Sequence, residues 1–281
     1  MPRIQSVIAA GLAATVFLVA CQPPGPKKVV ATGTFRALTY NIAGLPPALS
    51  EVDPETNIPL ISPLLNGYDV VSVQEDFWFH DALMKDAKHP HRTGAPIPFF
   101  NDGLELLSKY PYRDFARIGW ITAADLDGDG NDALGPKGFY FARIEVAPGV
   151  WIDFYDHHAD AGKSAGDGEA RKTQYRQLAD YISIFSSHQA VIVCGDTNLE
   201  GKDPMDEPIL QELLTKTGMR DVARHLNVGV EKIDRFYFRS GDDVTLEPLL
   251  WKIPPEFVDA AGQPLSDHDP VHVDFRWNLL G

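Results

Sequence analysis

The chain has only two cysteines, Cys21 and Cys194, in 281 residues. They cannot supply a disulfide framework, so the fold has to be held by burial of apolar surface. Basic residues are scarce as well. Lys and Arg number 25 against 39 Asp and Glu, a formal charge of −14. Non-specific nucleic-acid binding draws most of its affinity from Lys and Arg neutralising phosphates. The acidic balance argues against stable nucleic-acid binding, while leaving room for a local basic groove. No apolar run reaches the roughly 20 residues that a bilayer-spanning helix needs. Past the N-terminus no internal repeat, low-complexity block or composition break marks a linker, so one domain is the simplest parse. What is present is ordinary globular material, 44% hydrophobic and 23% charged, and long enough to bury a substantial core.

The first residues stand apart. Arg3 supplies a positive charge, and Val7 to Ala20 is an apolar stretch of 14 residues, the length of a signal-peptide core. It ends in Leu18-Val19-Ala20-Cys21, which resembles the lipobox of bacterial lipoproteins, where the new N-terminal Cys is acylated. An ordinary signal peptide cut nearby is the alternative. Gln22-Pro23-Pro24-Gly25-Pro26 reads as a stiff tether. The parse is a signal peptide over 1–20, a tether over 21–32 and one domain over 33–281. Removing Arg3 with the signal leaves 24 Lys and Arg against 39 Asp and Glu, a charge of −15. The expected destination is a bacterial membrane, reached through a lipid on Cys21. Gln22, rather than Asp, at the next position favours the outer membrane by resemblance to Gram-negative lipoproteins. Cys194, inside Val191-Ile192-Val193-Cys194, reads as a small buried hydrophobe.

Runs rich in Val, Ile, Phe and Tyr predict strands over Thr34–Tyr40, Val70–Gln74, Gly138–Val146, Val150–Asp156, Val191–Gly195 and Val271–Phe275. In the last, Val271, Val273 and Phe275 share one face, with His272 and Asp274 on the other. Between Glu169 and Ser186, Tyr175, Leu178, Ala179, Ile182 and Phe185 fall on one helix face. A second helix is expected over Pro208–Thr217, ended by Gly218. Strands and helices mix without regular βαβ alternation, which points to an α+β layered sandwich.

Polar residues close these strands. Asn41 follows the first and Glu75 the second; Asp156 and His158 end the strand from Val150. Asp196 and Asn198 follow Val191–Gly195, and Asp267-His268 precede Val271. Singly, each suits a turn. Together they hold what phosphodiester cleavage needs. Glu75, Asn41 and a nearby Asp are oxygen ligands for a hard divalent cation, and two histidines can divide acid and base work.

These residues also carry a resemblance. Thr39-Tyr40-Asn41-Ile42, Val73-Gln74-Glu75, Asp156-His157-His158-Ala159-Asp160-Ala161-Gly162, Arg171-Lys172-Thr173-Gln174, Gly195-Asp196-Thr197-Asn198 and Ser266-Asp267-His268-Asp269-Pro270 stand in the order of the endonuclease/exonuclease/phosphatase superfamily. The resemblance spans residues 34–276. It implies a four-layer α/β sandwich, two mostly antiparallel mixed sheets face to face with helices on both outer faces. Glu75 becomes the principal magnesium ligand, with Asn41 and Asp267 beside the metal; Mn2+ or another divalent cation is the alternative. Asp196 and Asn198 position water and phosphate, Asp267 orients His268, and His158 serves the phosphoryl group or the leaving oxygen. His268 is the favoured base. The chain departs from the pattern at Asp156, where Asn is usual; this places another carboxylate near metal and substrate. It departs also at Thr197 and at Arg235 in Ile233-Asp234-Arg235. His157 is expected to face away from the site, because neighbours in a strand point to opposite faces.

Asp132-Ala133-Leu134-Gly135-Pro136-Lys137-Gly138 and Gly103-Leu104-Glu105-Leu106-Leu107-Ser108 resemble the neutral sphingomyelinase branch, where the Asp and the Lys belong to the site. This implies a phospholipase C-like lipid phosphodiesterase, with Lys137 offering its cation to the phosphate and Asp132 beside it. A Lys137 that merely opens a strand is the structural alternative. Asp125–Asn131 begins like a calcium loop but carries Pro136 where Glu is required, so a solvated acidic turn is the plainer reading. No membrane-inserting aromatic hairpin is evident, and Leu249-Leu250-Trp251 and Phe257 suit core strands. A phospholipid substrate, a lipid-anchored membrane partner and a monomeric protein are expected. A secreted magnesium-dependent nuclease and a non-catalytic surface lipoprotein are the competing readings.

Overall fold

The computed structural model describes residues 27–94, 101–123, 136–201 and 203–281. Cys21, Asp125–Asn131 and Asp132 lie outside the described residues. In chain order the elements are β1 (Val29–Asn41), α1 (Pro54–Leu64), β2 (Val70–Gln74), α2 (His80–Met84), β3 (His91–Arg92), β4 (Glu105–Ser108), β5 (Tyr112–Gly119) and β6 (Gly138–Ala147). There follow β7 (Val150–His158), α3 (Ala165–Phe185), β8 (Ala190–Asp196), α4 (Asp206–Thr217), β9 (Arg220–Asp221), α5 (Val222–His225), β10 (Asp234–Arg239), β11 (Val244–Lys252) and β12 (Val271–Leu280).

The strands form two six-stranded sheets, ordered β11-β12-β1-β2-β4-β3 and β5-β6-β7-β8-β10-β9. Each sheet is antiparallel except for one central parallel pair, β1 with β2 and β7 with β8. Helix α1 links the first pair and α3 the second, as a parallel crossover requires. The period-two alternation then sorts the residues. Phe35, Ala37, Val70, Ile152, Phe154, Ile192, Val273 and Phe275 point between the sheets. Leu38, Tyr40, Val71 and Val73 pack outward with α1, while Tyr155, Val191 and Val193 pack outward beneath α3 and α4. Fully burying each such Val, Leu or Phe stabilises by roughly 1.5–3 kcal/mol. The result is the four-layer sandwich expected from the sequence.

Helix α3 begins four residues before the expected Glu169. Ser164 caps it, its hydroxyl accepting from the Asp167 N–H while the Asp167 carboxylate accepts from the Ser164 N–H, a reciprocal pair that fixes a helix start. Tyr175, Leu178, Ala179 and Ile182 are buried as the periodicity predicts. Phe185 is not; it stacks on Tyr181 and stays half exposed. Helix α4 ends at Gly218 in the left-handed conformation, φ 69°, which glycine adopts without steric cost. The domain also reaches further back than residue 33. Strand β1 pairs Val29 with Leu280, inside the span read as tether. Phe257 is buried, but Leu249 and Leu250 are partly exposed, because β11 is an edge strand whose register slips between Pro248 and Leu250.

Candidate active site

The carboxyl ends of both parallel pairs open at the same end of the sandwich. Asn41 ends β1, Glu75 follows β2, His158 ends β7 and Asp196 ends β8. Crevices outside the carboxyl ends of parallel strands are where α/β sheets bind ligands. Within the inter-sheet layer the chemistry changes along the strands. Apolar residues give way to a buried polar layer in which the Gln74 amide donates to Thr39 Oγ1 at 3.0 Å and to Asp156 Oδ1 at 2.6 Å. Ser72 meets the Tyr140 hydroxyl there at 2.6 Å. Above that layer lies the open cluster.

Asn41 stands at its centre. Its Nδ2 donates to Glu75 Oε1 at 3.0 Å and Asp196 Oδ2 at 3.1 Å, and lies 3.4 Å from His268 Nε2. His158 Nε2 is 3.2 Å from Asp196 Oδ2 and 3.9 Å from Glu75 Oε1. His268 Nε2 is 3.8 Å from Asp196 Oδ2. Ligand atoms of Glu75, His158 and Asp196 all fall within 4.8 Å of one another. Two carboxylates and one imidazole make a donor set that fits a divalent cation.

Backbone geometry aims Glu75. By alternation its side chain would follow Val73 to the outer face, but φ is +62°, and the left-handed turn brings it round into the cluster. A non-glycine residue held there costs on the order of 1–3 kcal/mol. Neighbouring bonds hold it: the Asp76 N–H donates to Gly103 O at 2.9 Å and the Phe77 N–H to Glu75 O at 2.9 Å. Gly195 is required for a different reason. A Cβ there would sit 2.0 Å from His157 O, so β7 and β8 can deliver His158 and Asp196 side by side only over a bare backbone.

His268 is gripped from behind. Its Nδ1 lies 2.9 Å from Asp234 Oδ2, and Asp234, opening β10, is buried. Burial opposes a proton on His268, but the charges of Asp196 and Asp234 and the Asp234 hydrogen bond outweigh it and push the imidazole up to about 10. Burial likewise pushes Asp234 up, while its bond to His268 pulls the other way. Asp196 is held well below the usual carboxylate range: burial works against this, but His268 and His158 overcome it.

The structure corrects several assignments. Asp267 does not orient His268. It is exposed on the rim of the cleft, with Oδ1 accepting from Ser266 Oγ at 3.2 Å; the orienting carboxylate is Asp234, which the sequence showed only as part of Ile233-Asp234-Arg235. Nor does Asp267 join the clusters of potential metal ligands among the described residues. Asn41 meets the cluster through its amide nitrogen, with its Oδ1 accepting from the Ala43 N–H at 3.0 Å, and so braces the carboxylates. Asp156 lies in the polar layer beneath the cleft, wholly buried against Gln74, and does not line the cleft. Burial pushes its carboxyl well up, at the position where Asn is usual. Asn198 lines the cleft, with Nδ2 donating to Ala159 O at 3.0 Å.

Lys137 also lines the cleft, its Nζ donating to Ala159 O at 3.2 Å. Arg171 and Gln174 work at a distance. Arg171 donates to the carbonyls of Asp160 and Gly162, and Gln174 accepts from the Asp160 N–H at 2.9 Å; together they fix the loop beside His158. Trp120 adds a bond from Nε1 to His158 O at 2.7 Å. The cleft, about 340 Å³, has a polar floor and an apolar shoulder of Leu45, Pro46, Leu49, Phe77 and Trp78. Trp78 and Leu49 are about half exposed. Nothing in the spacing of residues 43–51 marked them as part of a site.

His157 faces the helices as expected. Nδ1 meets Cys194 O at 2.8 Å and Nε2 the Tyr175 hydroxyl at 3.0 Å, and burial pushes the imidazole down to about 4. An unfolded imidazole titrates near 6.5. Between pH 6.5 and 4 the unfolded chain therefore binds the extra proton, and stability falls as pH falls, by about 3 kcal/mol at most. Urea midpoints across this window should slope less in His157→Gln than in the parent. An unchanged slope would remove His157 as the cause.

No protein-family model matches the chain. In sequence it is similar to a sphingomyelinase of Mycobacterium bovis, 32% identical over 272 residues, covering 88% of this chain and 53% of the relative. The chain thus spans about half the length of that relative. In structure it is similar to a magnesium-bound mutant of the Staphylococcus aureus beta toxin, with TM-score 0.62, 18% identity and coverage of 86% and 99% of the two chains. It is similar also to a TDP2 of D. rerio complexed with single-strand DNA product, with TM-score 0.63, 19% identity and coverage of 86% and 98%. An endonuclease/exonuclease/phosphatase of Beutenbergia cavernae gives TM-score 0.59, 16% identity and coverage of 88% and 72%.

Proposed function

We propose that this chain, a sequence homologue of sphingomyelinases with the endonuclease/exonuclease/phosphatase fold, hydrolyses the headgroup phosphodiester of a phospholipid with the help of a divalent cation. The make-up of the cleft carries this reading. Its floor joins Glu75, His158, Asp196 and His268, its shoulder is apolar, and Lys137 is the one Lys or Arg among the described residues that line it. A nucleic-acid strand calls for a row of cations and stacking faces. A phosphodiester carrying an apolar body calls for one cation and an apolar wall.

Glu75 and Asp196, with His158, would hold the cation, for which Mg2+ is favoured by the carboxylate oxygens and by the magnesium-bound structural neighbour. Bound there, it would supply positive charge against the phosphate oxygens. Asp234 accepts the Nδ1 proton of His268 and so leaves Nε2 facing the cluster, where it takes the proton of the attacking water. Asp196 carries the leading charge that raises His268; with that charge neutralised, the imidazole falls back towards the range of a base. With His158 on the cation, Lys137 meets the phosphoryl oxygens and its proton passes to the departing oxygen.

The test pairs three substrates with magnesium or EDTA: a sphingomyelin or choline-phospholipid analogue, plasmid DNA and bis-p-nitrophenyl phosphate. Phospholipid turnover that EDTA abolishes is the expected result. A charge-assisted hydrogen bond from Lys137 is worth roughly 1.5–3 kcal/mol, so Lys137→Met should lower that turnover about 10- to 100-fold. Robust plasmid cleavage without phospholipid turnover would transfer the chain to the nucleases.

The same reading places the protein on a bacterial membrane through an acylated Cys21. It rests on the Leu18-Val19-Ala20-Cys21 sequence and the tether after it. Cys21→Ser in a lipoprotein-processing host should move the protein out of the membrane fraction. Equal solubility of variant and parent would dismiss the lipid.

A further inference from the structure

Behind Glu75, on the side away from the cleft, lies a second group of ligand-bearing side chains. Asp76 directly follows Glu75, His80 opens α2 and Glu105 opens β4. One ligand atom from each lies within 4.8 Å of the others. Asp76 and Glu105 are wholly buried. His80 Nδ1 lies 2.6 Å from Asp76 Oδ2, while Asp76 Oδ1 is buried without a hydrogen-bond partner among the described residues. Arg117 bonds Glu105 Oε1 at 3.0 Å and Asp102 Oδ1 at 2.5 Å, and Thr93 donates its hydroxyl to Glu105 Oε2.

The group is crowded with carboxylates. Asp76, Asp102 and Glu105 gather round one guanidinium, with exposed Asp81 nearby, and burial pushes the carboxyls of all three up, that of Glu105 to about 7. A dication among these oxygens would offset the cost of burying them.

We propose that Asp76, His80 and Glu105 bind a second divalent cation, a structural ion of the zinc or manganese type, separate from the one at Glu75. One imidazole nitrogen and two carboxylate oxygens are ligands both metals accept, with zinc bonds of about 2.0–2.2 Å. The ion takes the place of the proton shared between His80 Nδ1 and Asp76 Oδ2, and Arg117 keeps its bonds to Glu105 and Asp102. It ties the turn after β2 to α2 and β4, and so steadies the strained backbone that carries Glu75. The proposal does not depend on the substrate or on the activity.

Glu75→Gln, stripped with chelator and desalted, is titrated calorimetrically with Zn2+ and with Mn2+, and its melting temperature is followed in parallel. One equivalent should bind and the melt should rise. Glu75→Gln/His80→Ala and Glu75→Gln/Glu105→Gln should each bind at least tenfold more weakly and lose the rise in melting. The conservative Glu105→Gln guards against a His80→Ala chain that fails to fold. Absence of binding to Glu75→Gln overturns the site. So does binding that survives both double variants, since that ion would sit on the His158–Asp196 side of the cleft.

Discussion

Glu75→Gln is expected to abolish phospholipid hydrolysis at ordinary magnesium concentrations while leaving the thermal melt nearly unchanged. Gln is isosteric, so the left-handed backbone at φ +62° bears the same strain in both proteins. The bond from Asn41 Nδ2 to the side-chain oxygen at position 75 also survives. What disappears is the more accessible carboxylate of the ligand group, for the Glu75 side chain is partly exposed while Asp196 and His158 are buried. A neutral amide oxygen is a much poorer partner for a hard dication. Removal of the cation by EDTA should mimic the substitution, and EDTA should add nothing further to the variant. Full activity of Glu75→Gln would move the metal elsewhere in the cluster, with the Asp196–Asp234–His268 group next to be tested.

The residues that sequence exposed and those it hid differ in how they reach the site. Asn41, Glu75, His158 and Asp196 end strands with clear Val, Ile and Phe patterning, so the ends could be read and their order compared with a known superfamily. Strand β10 was not read, and Asp234 with it. It runs only six residues, Asp234–Arg239, and an Arg at each end of its aromatic centre obscures the alternation. The partner of His268 lies 34 residues earlier in the chain, and adjacency in sequence pointed instead to Asp267. Asp156 misled in the same way. A carboxylate two residues before His158 on the same face is expected in the cleft, yet each step along a strand advances about 3.3 Å, which leaves it one layer down, against Gln74. The apolar shoulder at Leu45, Leu49 and Trp78 comes from loops, which have no periodicity to read. The sandwich was legible because burial imposes the period of two; the charges at its open end were legible only where a strand delivered them.

The sharpest consequence of the corrected geometry concerns Asp234 and Asp267. Asp234→Asn should lower kcat/KM on a phospholipid by on the order of 10²–10⁴-fold, the range lost when a general base is misdirected or weakened. Asn keeps the shape but removes the charge. His268 then loses a partner that both raises its basicity and fixes which ring nitrogen carries the proton. Asp267→Asn should change the rate far less, because Asp267 is exposed and is held by Ser266 rather than by the imidazole. His268→Ala should lose as much as Asp234→Asn, and the double variant should be little worse than either, since two groups that act as one unit are not additive. The pH profile separates this from a merely structural effect. A base must be unprotonated, so the acid limb of kcat/KM follows the His268 pKa; Asp234→Asn lowers that pKa and should carry the limb to lower pH. Additive losses, an unmoved acid limb, or a larger effect at Asp267 would return the orienting role to the residue beside His268.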